Sequence, residues 1–378
     1  MKIGFLSHLD LNLYLFRLPI MKQLIERGDE VYAICPRGEK FDLFKEHGIQ
    51  AIPYEIERSS LNPFKELRAI YNIYRAIKSL ELDMIHTFTA KPNIYGTIAS
   101  KVANIPIIIN LVEGLGSFYI EDTPKSIIVR NIIERLYKFV FSLSCQVVFV
   151  NADDPDYLEK RGVISKSKIT VIKSVGIDTD AFNPNTISKI EMDRLHNELA
   201  LKHKIVILMV ARAIWHKGVR EFYEASDMLS SYDNVQFVLV GDTDEGNHSS
   251  VNRAFLNGGN VLWLGHRDDI LNLTALCDIY VLPSYREGVP RTLLEAASME
   301  KSIVTTDTVG CREVVEDGVN GFLVPVGDSK ILTQKIKQLI EDRDLRETMG
   351  KNGRIKALKE FDVNVVVQQY LELYEKSL

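Results

Sequence analysis

Short apolar runs rich in Val and Ile alternate with longer amphipathic segments along the whole of this 378-residue chain. A run such as Ile-Ile-Ile-Asn-Leu-Val at 107–112 is short for a buried helix and apolar enough to be covered on both faces as a strand. Strands of that kind belong to parallel sheets, because the helical crossovers joining parallel strands supply the cover. The runs at 3–7, 31–35, 51–54, 84–87, 107–112 and 146–150 are therefore read as strands, with helices at 16–27, 41–47, 63–80, 93–103 and 125–142.

Between 171 and 185 the alternation falters in a turn-rich stretch that includes Gly176, Asp178, Asp180, Asn183 and Pro184. It restarts with a strand at 205–210 and a helix at 218–229, then strands at 237–240, 261–264, 279–282, 302–305 and 321–324. A last helix is expected at 363–376. The layout predicts an α/β chain of two doubly wound, Rossmann-like domains facing across a cleft. Residues 1–185 form the first with its linker, 186–362 the second, and 363–378 a helix able to cross back to the first. The length suffices for two cores.

Composition excludes several classes of function. A net charge of −5 is not that of a general nucleic-acid binder. Cys35, Cys145, Cys277 and Cys311 show no pairing or metal-ligand spacing, which fits a reducing cytosol. The first residues run straight into a strand pattern without a signal-peptide layout, and no apolar run has the length to span a bilayer. Any membrane contact is expected to be peripheral.

The richest chemistry lies at 284–296, Ser-Tyr-Arg-Glu-Gly-Val-Pro-Arg-Thr-Leu-Leu-Glu-Ala. It follows a buried strand, and Leu293, Leu294, Ala297 and Met299 suit one side of a helix. The turn between them holds Gly288, unconstrained by a Cβ, and Pro290, suited to the first helical turn. Such a strand–turn–helix aims backbone N–H groups and the positive helix end into the space above the strand, where a phosphorylated or polyhydroxylated ligand can sit. Glu287 and Glu295 can accept hydrogen bonds from hydroxyls on two parts of one elongated ligand.

A second cluster, Ala-Arg-Ala-Ile-Trp-His-Lys-Gly at 211–218, directly follows the strand at 205–210. Two cations at a strand's carboxyl end suit a diphosphate: Arg212 forks onto two oxygens and Lys217 supplies a point charge. Asp242-Thr243-Asp244 spells a metal-binding triplet, but the diphosphate already has two cations, so the triplet is read as a polar loop and no metal is expected.

The string Pro-Ser-x-x-Glu-Gly-x-Pro…Glu-Ala at 283–296 resembles the donor-sugar motif of family 4, the retaining nucleotide-sugar glycosyltransferases of GT-B fold. Residues 211–218 resemble that family's Gly-Arg…Lys-Gly segment, with Ala211 in place of Gly, and 174–184 resemble its inter-domain segment. The resemblance implies a UDP-sugar co-substrate and no other cofactor. It puts the diphosphate on Arg212 and Lys217, the ribose at Glu295, and the sugar hydroxyls on Glu287 and the N–H groups around Gly288 and Val289. Pro290 has no N–H to offer. Segments 57–64, 111–119, 171–177 and 215–219 are similar to a narrower set of this family. Those members move N-acetylgalactosamine from UDP-GalNAc onto undecaprenyl-diphospho-N,N′-diacetylbacillosamine, on the inner face of the bacterial inner membrane, in protein N-glycosylation. Three alternatives share the frame: an epimerase of GT-B shape acting on UDP-sugars, a transferase of another hexosamine to a different lipid-linked acceptor, and a silent sugar binder.

The first domain is expected to hold the acceptor. Glu113 follows the strand at 107–112, in a place where many family members carry His. Its carboxylate can orient the acceptor hydroxyl, shield positive character at the sugar carbon, or act as a base. His8, Asn12, Arg17, Arg58 and Lys91 complete the acceptor side, while His86 is read as a buried structural hydrogen-bonder.

An anionic membrane surface is the remaining expected partner. On a helix over 125–138, Ile128, Ile132 and Leu136 make one row and Arg130, Glu134 and Lys138 another. Either the isoleucine row packs on the sheet, as in an ordinary crossover helix, or the segment also meets lipid. In that case Ile127 or Phe141 inserts, and Lys125, Arg130, Arg135 and Arg58 face the headgroups or the acceptor's own diphosphate.

Overall fold

The computed structural model describes residues 1–57 and 62–378, in two compact units, 1–176 with 363–378 and 177–362. The first unit is built on seven parallel strands: β1 (Lys2–Leu6), β2 (Glu30–Cys35), β3 (Gln50–Pro53), β4 (Met84–Phe88), β5 (Ile107–Val112), β6 (Gln146–Phe149) and β7 (Ile169–Val171). Their order is β3-β2-β1-β4-β5-β6-β7. The chain winds one way from β1 to β3 and the other way from β4 to β7. The reversal between β1 and β4 opens a crevice at the strands' carboxyl ends, the place where such sheets bind ligands.

Strand β7 is absent from the sequence reading because it carries no apolar run: Ile-Thr-Val at a sheet edge, none of it buried. Asn110, the polar break in β5, is buried, and its Nδ2 donates to Oγ1 of Thr87 at 2.7 Å and of Thr97 at 2.8 Å. The helix expected at 16–27 proves to be two, Asp10–Phe16 and Leu18–Glu26, meeting at Arg17. Pro19 causes the break, since its ring has no N–H to bond back and clashes with the preceding turn.

The last helix, Val363–Lys376, packs beside Leu18–Glu26 in the first unit, with Tyr370 and Tyr374 buried and Arg27 paired to Glu375 at 3.1 Å. Gly176, with φ +82°, lies so near Val363 that a Cβ would come within 2.8 Å of its Cα. The chain's departure at 176 and return at 363 thus run side by side.

The second unit holds six parallel strands: β8 (Ile205–Val210), β9 (Val235–Val240), β10 (Val261–Trp263), β11 (Ile279–Leu282), β12 (Ser302–Thr306) and β13 (Gly321–Val324). Their order is β10-β9-β8-β11-β12-β13, with the reversal between β8 and β11. The boundary drawn from sequence at 185/186 falls instead at 176/177. Ile177 donates its N–H to the Phe361 carbonyl at 2.8 Å and buries its side chain in the second unit's core. Ser298 Oγ then holds the Phe182 carbonyl at 2.6 Å. Asn183-Pro184 marks a turn in the chain, not an edge of the packing.

Candidate active site

In the second unit the candidate side chains stand where the winding reverses. Arg212 and Lys217 follow β8, and Glu287 follows β11. The two loops are bound together: Tyr285 N–H donates to the His216 carbonyl at 2.9 Å. Gly218, at φ +79°, abuts Pro283 so closely that a Cβ would lie 2.1 Å from its carbonyl oxygen. Across this seam Lys217 Nζ meets Glu287 Oε1 at 2.5 Å.

The turn after β11 is carried from behind by the chain after β12. Thr308 Oγ1 donates to the Tyr285 carbonyl at 2.9 Å, and Glu287 N–H donates to the Val309 carbonyl at 3.1 Å. The helix Arg291–Ser298 begins after Pro290, which occupies its cap position and not, as expected from sequence, the first turn. Pro290 has an extended ψ of 116°, so it leads into the helix instead of starting it. Val289 packs partly buried against the core. Inside the helix Glu295 is buried and accepts from Arg291 Nε at 3.1 Å, and burial raises its pKa to about 7 against the pull of Arg291. Tyr285 Oη donates to Glu221 at 2.8 Å, a link that no sequence spacing marked.

Asp242 and Asp244 turn to different cations. Arg253 Nη2 reaches Asp242 at 3.1 Å and Arg212 Nη1 reaches Asp244 at 2.5 Å. Asp244 also accepts from Asn247 Nδ2 at 2.9 Å. The triplet's members are thus counter-ions within their own unit, one of them to the predicted diphosphate ligand Arg212.

In the first unit a second group gathers at the ends of β1, β4 and β5. Glu113 accepts from Arg17 Nη2 and lies 3.3 and 3.4 Å from Asn12 Nδ2. His8 Nδ1 is 2.6 Å from Thr89 Oγ1. Arg17 is wholly buried, so it meets Glu113 and not solvent. Lys91 stands apart, bound to the Glu57 carbonyl at 2.8 Å and to Glu66 at 2.9 Å. Arg58 lies outside the described residues. His86 is buried with Nδ1 2.7 Å from Tyr374 Oη, and burial, helped by Arg17, lowers its pKa well below the usual value.

The helix Pro124–Leu143 turns its isoleucine row outward, not onto the sheet. Ile128 is 61% exposed and Ile132 51%, and Ile127, Leu136 and Phe139 are exposed beside them. The buried face carries Tyr137, Val140 and Phe141, so Phe141 is not available for insertion. Glu134 points inward, accepting from Tyr157 Oη at 3.0 Å and Arg161 Nε at 2.7 Å. Arg130 is no headgroup ligand either. It donates to the Phe118 and Glu121 carbonyls at 3.0 and 3.1 Å and to Asp122 at 2.9 Å, latching the loop that follows Glu113.

Two doubly wound parallel sheets, with a cationic loop and an acidic strand–turn–helix at one reversal point, define a GT-B glycosyltransferase. The same fold is seen in a glycosyltransferase from Rickettsia africae, with a TM-score of 0.82 at 22% identity over all of this chain and 98% of that one. It is seen again in Anabaena Alr3699/HepE in complex with UDP-glucose, with a TM-score of 0.80 at 23% identity over the whole of both chains. Residues 2–147 match the family described as Glycosyl transferase 4-like, and residues 191–356 that described as Glycosyl transferases group 1. The chain is 43% identical, over all 378 residues and 99% of the relative, to the N,N′-diacetylbacillosaminyl-diphospho-undecaprenol alpha-1,3-N-acetylgalactosaminyltransferase of Campylobacter jejuni. It belongs to this glycosyltransferase family. It is also 26% identical, over 91% of its length and 88% of the relative's, to an Escherichia coli UDP-Gal:alpha-D-GlcNAc-diphosphoundecaprenol alpha-1,3-galactosyltransferase.

Proposed function

We propose that this enzyme transfers N-acetylgalactosamine from UDP-GalNAc to undecaprenyl-diphospho-N,N′-diacetylbacillosamine, with retention at the anomeric carbon and without a metal. The observation that carries the reading is the 43% identity, spread over the full chain, to the Campylobacter jejuni enzyme named for that acceptor. The Lys217–Glu287 and Arg212–Asp244 pairs at the reversal point of the second unit support it chemically.

Arg212 and Lys217 receive the diphosphate. Fixed charge aimed at the leaving group stabilises the transition state, where negative charge grows on the departing phosphate. Glu287 and the backbone around Gly288 and Val289 hold the sugar hydroxyls, and Glu295 holds the ribose. The acceptor oxygen bonds to the anomeric carbon on the face from which UDP leaves, and its proton passes to the departing phosphate oxygen. Glu113 meets the acceptor or the positive character developing at that carbon, with His8 and Asn12 beside it.

No helix among the described residues is long and apolar enough to cross a membrane. The outward face of Pro124–Leu143 supports peripheral attachment to the inner face of the bacterial inner membrane. It joins Ile127, Ile128, Ile132, Leu136 and Phe139 with the exposed cations Lys125, Arg135 and Lys138, and turns its one acid inward. Apolar groups that insert shallowly, ringed by cations, suit an anionic bilayer. The test of the chemistry is to isolate the lipid-linked product and read its new linkage by NMR. An α-linked N-acetylgalactosamine is expected; a β linkage contradicts retention.

A further inference from the structure

We propose that Arg17 is the positioning residue for Glu113, acting on turnover through that carboxylate and never touching substrate itself. The inference rests on the reading of Glu113 as a group that meets the acceptor or the transferred sugar.

The geometry is that of a charge sealed behind its partner. The Arg17 side chain has no exposed surface, whereas the Glu113 side chain is 27% exposed. The guanidinium stands 4.7 Å from the centroid of the Phe88 ring, and Nη2 donates to Glu113 Oε1. Nε and Nη1 are buried with no hydrogen-bond partner among the described residues. A guanidinium does not lose its proton in a protein, so this charge is permanent, and a buried charge must find an opposite one. Glu113 supplies it. With the other nitrogens unbonded, the electrostatic need of Arg17 falls on a single carboxylate, held in place from its inner side.

The surroundings keep that arrangement rigid. Asn12 Nδ2 lies 3.3 and 3.4 Å from the two Glu113 oxygens, five residues before Arg17 in the chain. Under Arg17, Phe88 packs on His86 with ring centroids 4.4 Å apart. His86 in turn is tied at 2.7 Å to Tyr374 of the terminal helix. His86 stays neutral in this buried layer and so offers Arg17 no competing charge.

Arg17→Lys keeps a cation but loses the planar fork that fixes the carboxylate. Turnover is expected to fall at least ~10-fold, with the KM values for donor and acceptor unchanged, because small misplacements of a reacting group are costly. Urea midpoints supply a second readout. Glu113→Gln strands a buried cation, so the double variant Arg17→Met/Glu113→Gln is expected to be more resistant to urea than Glu113→Gln alone. A raised acceptor KM with unchanged kcat in Arg17→Lys overturns the proposal, since Arg17 would then meet the acceptor. So does a double variant no more stable than Glu113→Gln. Wild-type turnover in Glu113→Gln is a different failure: it removes the role given to Glu113 and leaves the buried pair as a structural feature.

Discussion

Lys217 and Glu287, seventy residues apart in the chain, form a 2.5 Å ion pair across the point where the second sheet's winding reverses. One belongs to the loop assigned to the leaving diphosphate, the other to the turn assigned to the sugar. Under the proposed function, the donor's two halves meet side chains that already hold each other in place. Replacing Lys217 by Ala is expected to lower turnover at least ~100-fold, as for other lost transition-state donors. The loss for Lys217→Ala/Glu287→Gln should be smaller than the product of the single losses, because paired residues couple. Strictly multiplicative losses in kcat/KM contradict this.

Glu295, the proposed ribose ligand, ties stability to pH. Burial raises its pKa from 4.5 to about 7, so between those values the folded chain binds a proton more tightly than the unfolded chain does. This contribution to stability is full below about pH 4.5, declines as pH rises, and is gone above about pH 7. The shift corresponds to roughly 3 kcal/mol. Glu295→Gln should therefore gain stability relative to wild type as pH rises from 5 to 8, while binding UDP less tightly. Urea unfolding of both proteins across that range checks the sign, and a wild-type advantage that grows with pH refutes it.

The proposed membrane attachment rests on the exposed row of Pro124–Leu143. Ile128→Ser/Ile132→Ser is expected to abolish co-sedimentation with anionic vesicles at low salt and to leave the urea midpoint nearly unchanged, as surface substitutions do. Each nearby cation contributes about 1 kcal/mol, so high salt should release the wild type as well. Wild-type-like sedimentation of the double variant assigns attachment to another surface.

The proposed metal independence draws support from how two of the second unit's acids are engaged. Asp244 pairs with Arg212, and Asp242 with Arg253. Exhaustive treatment with a chelator should leave the transfer rate unchanged. Activity lost to chelator and restored by Mn²⁺ contradicts the assignment of the diphosphate to Arg212 and Lys217.

Much of this was legible in the residues because buried parallel strands are nearly pure in composition. The strands at 107–112, 205–210, 279–282 and 321–324 were read to the residue. β7 was not, since an edge strand needs no apolar run. The helix at 125–142 was read correctly as a helix, but periodicity does not say whether the sheet covers the row of Ile128, Ile132 and Leu136. The wider faces of Tyr137 and Phe141 took the core side and left Ile128 and Ile132 outside. At the candidate site, the places of Arg212, Lys217 and Glu287 after strands were legible in the sequence. Their pairings were not: Asp244 lies 32 residues from Arg212, and only the fold brings such pairs together. The same holds for Arg17, which lies buried against Glu113 at the junction of two helices.

The most direct test is to follow UDP release from UDP-GalNAc with and without undecaprenyl-diphospho-N,N′-diacetylbacillosamine. The proposed function predicts rapid release only when the acceptor is present, with one lipid-linked N-acetylgalactosamine formed for each UDP. Conversion of the UDP-sugar to an epimer without UDP release, or tight UDP-sugar binding with no turnover in the presence of the acceptor, would contradict it.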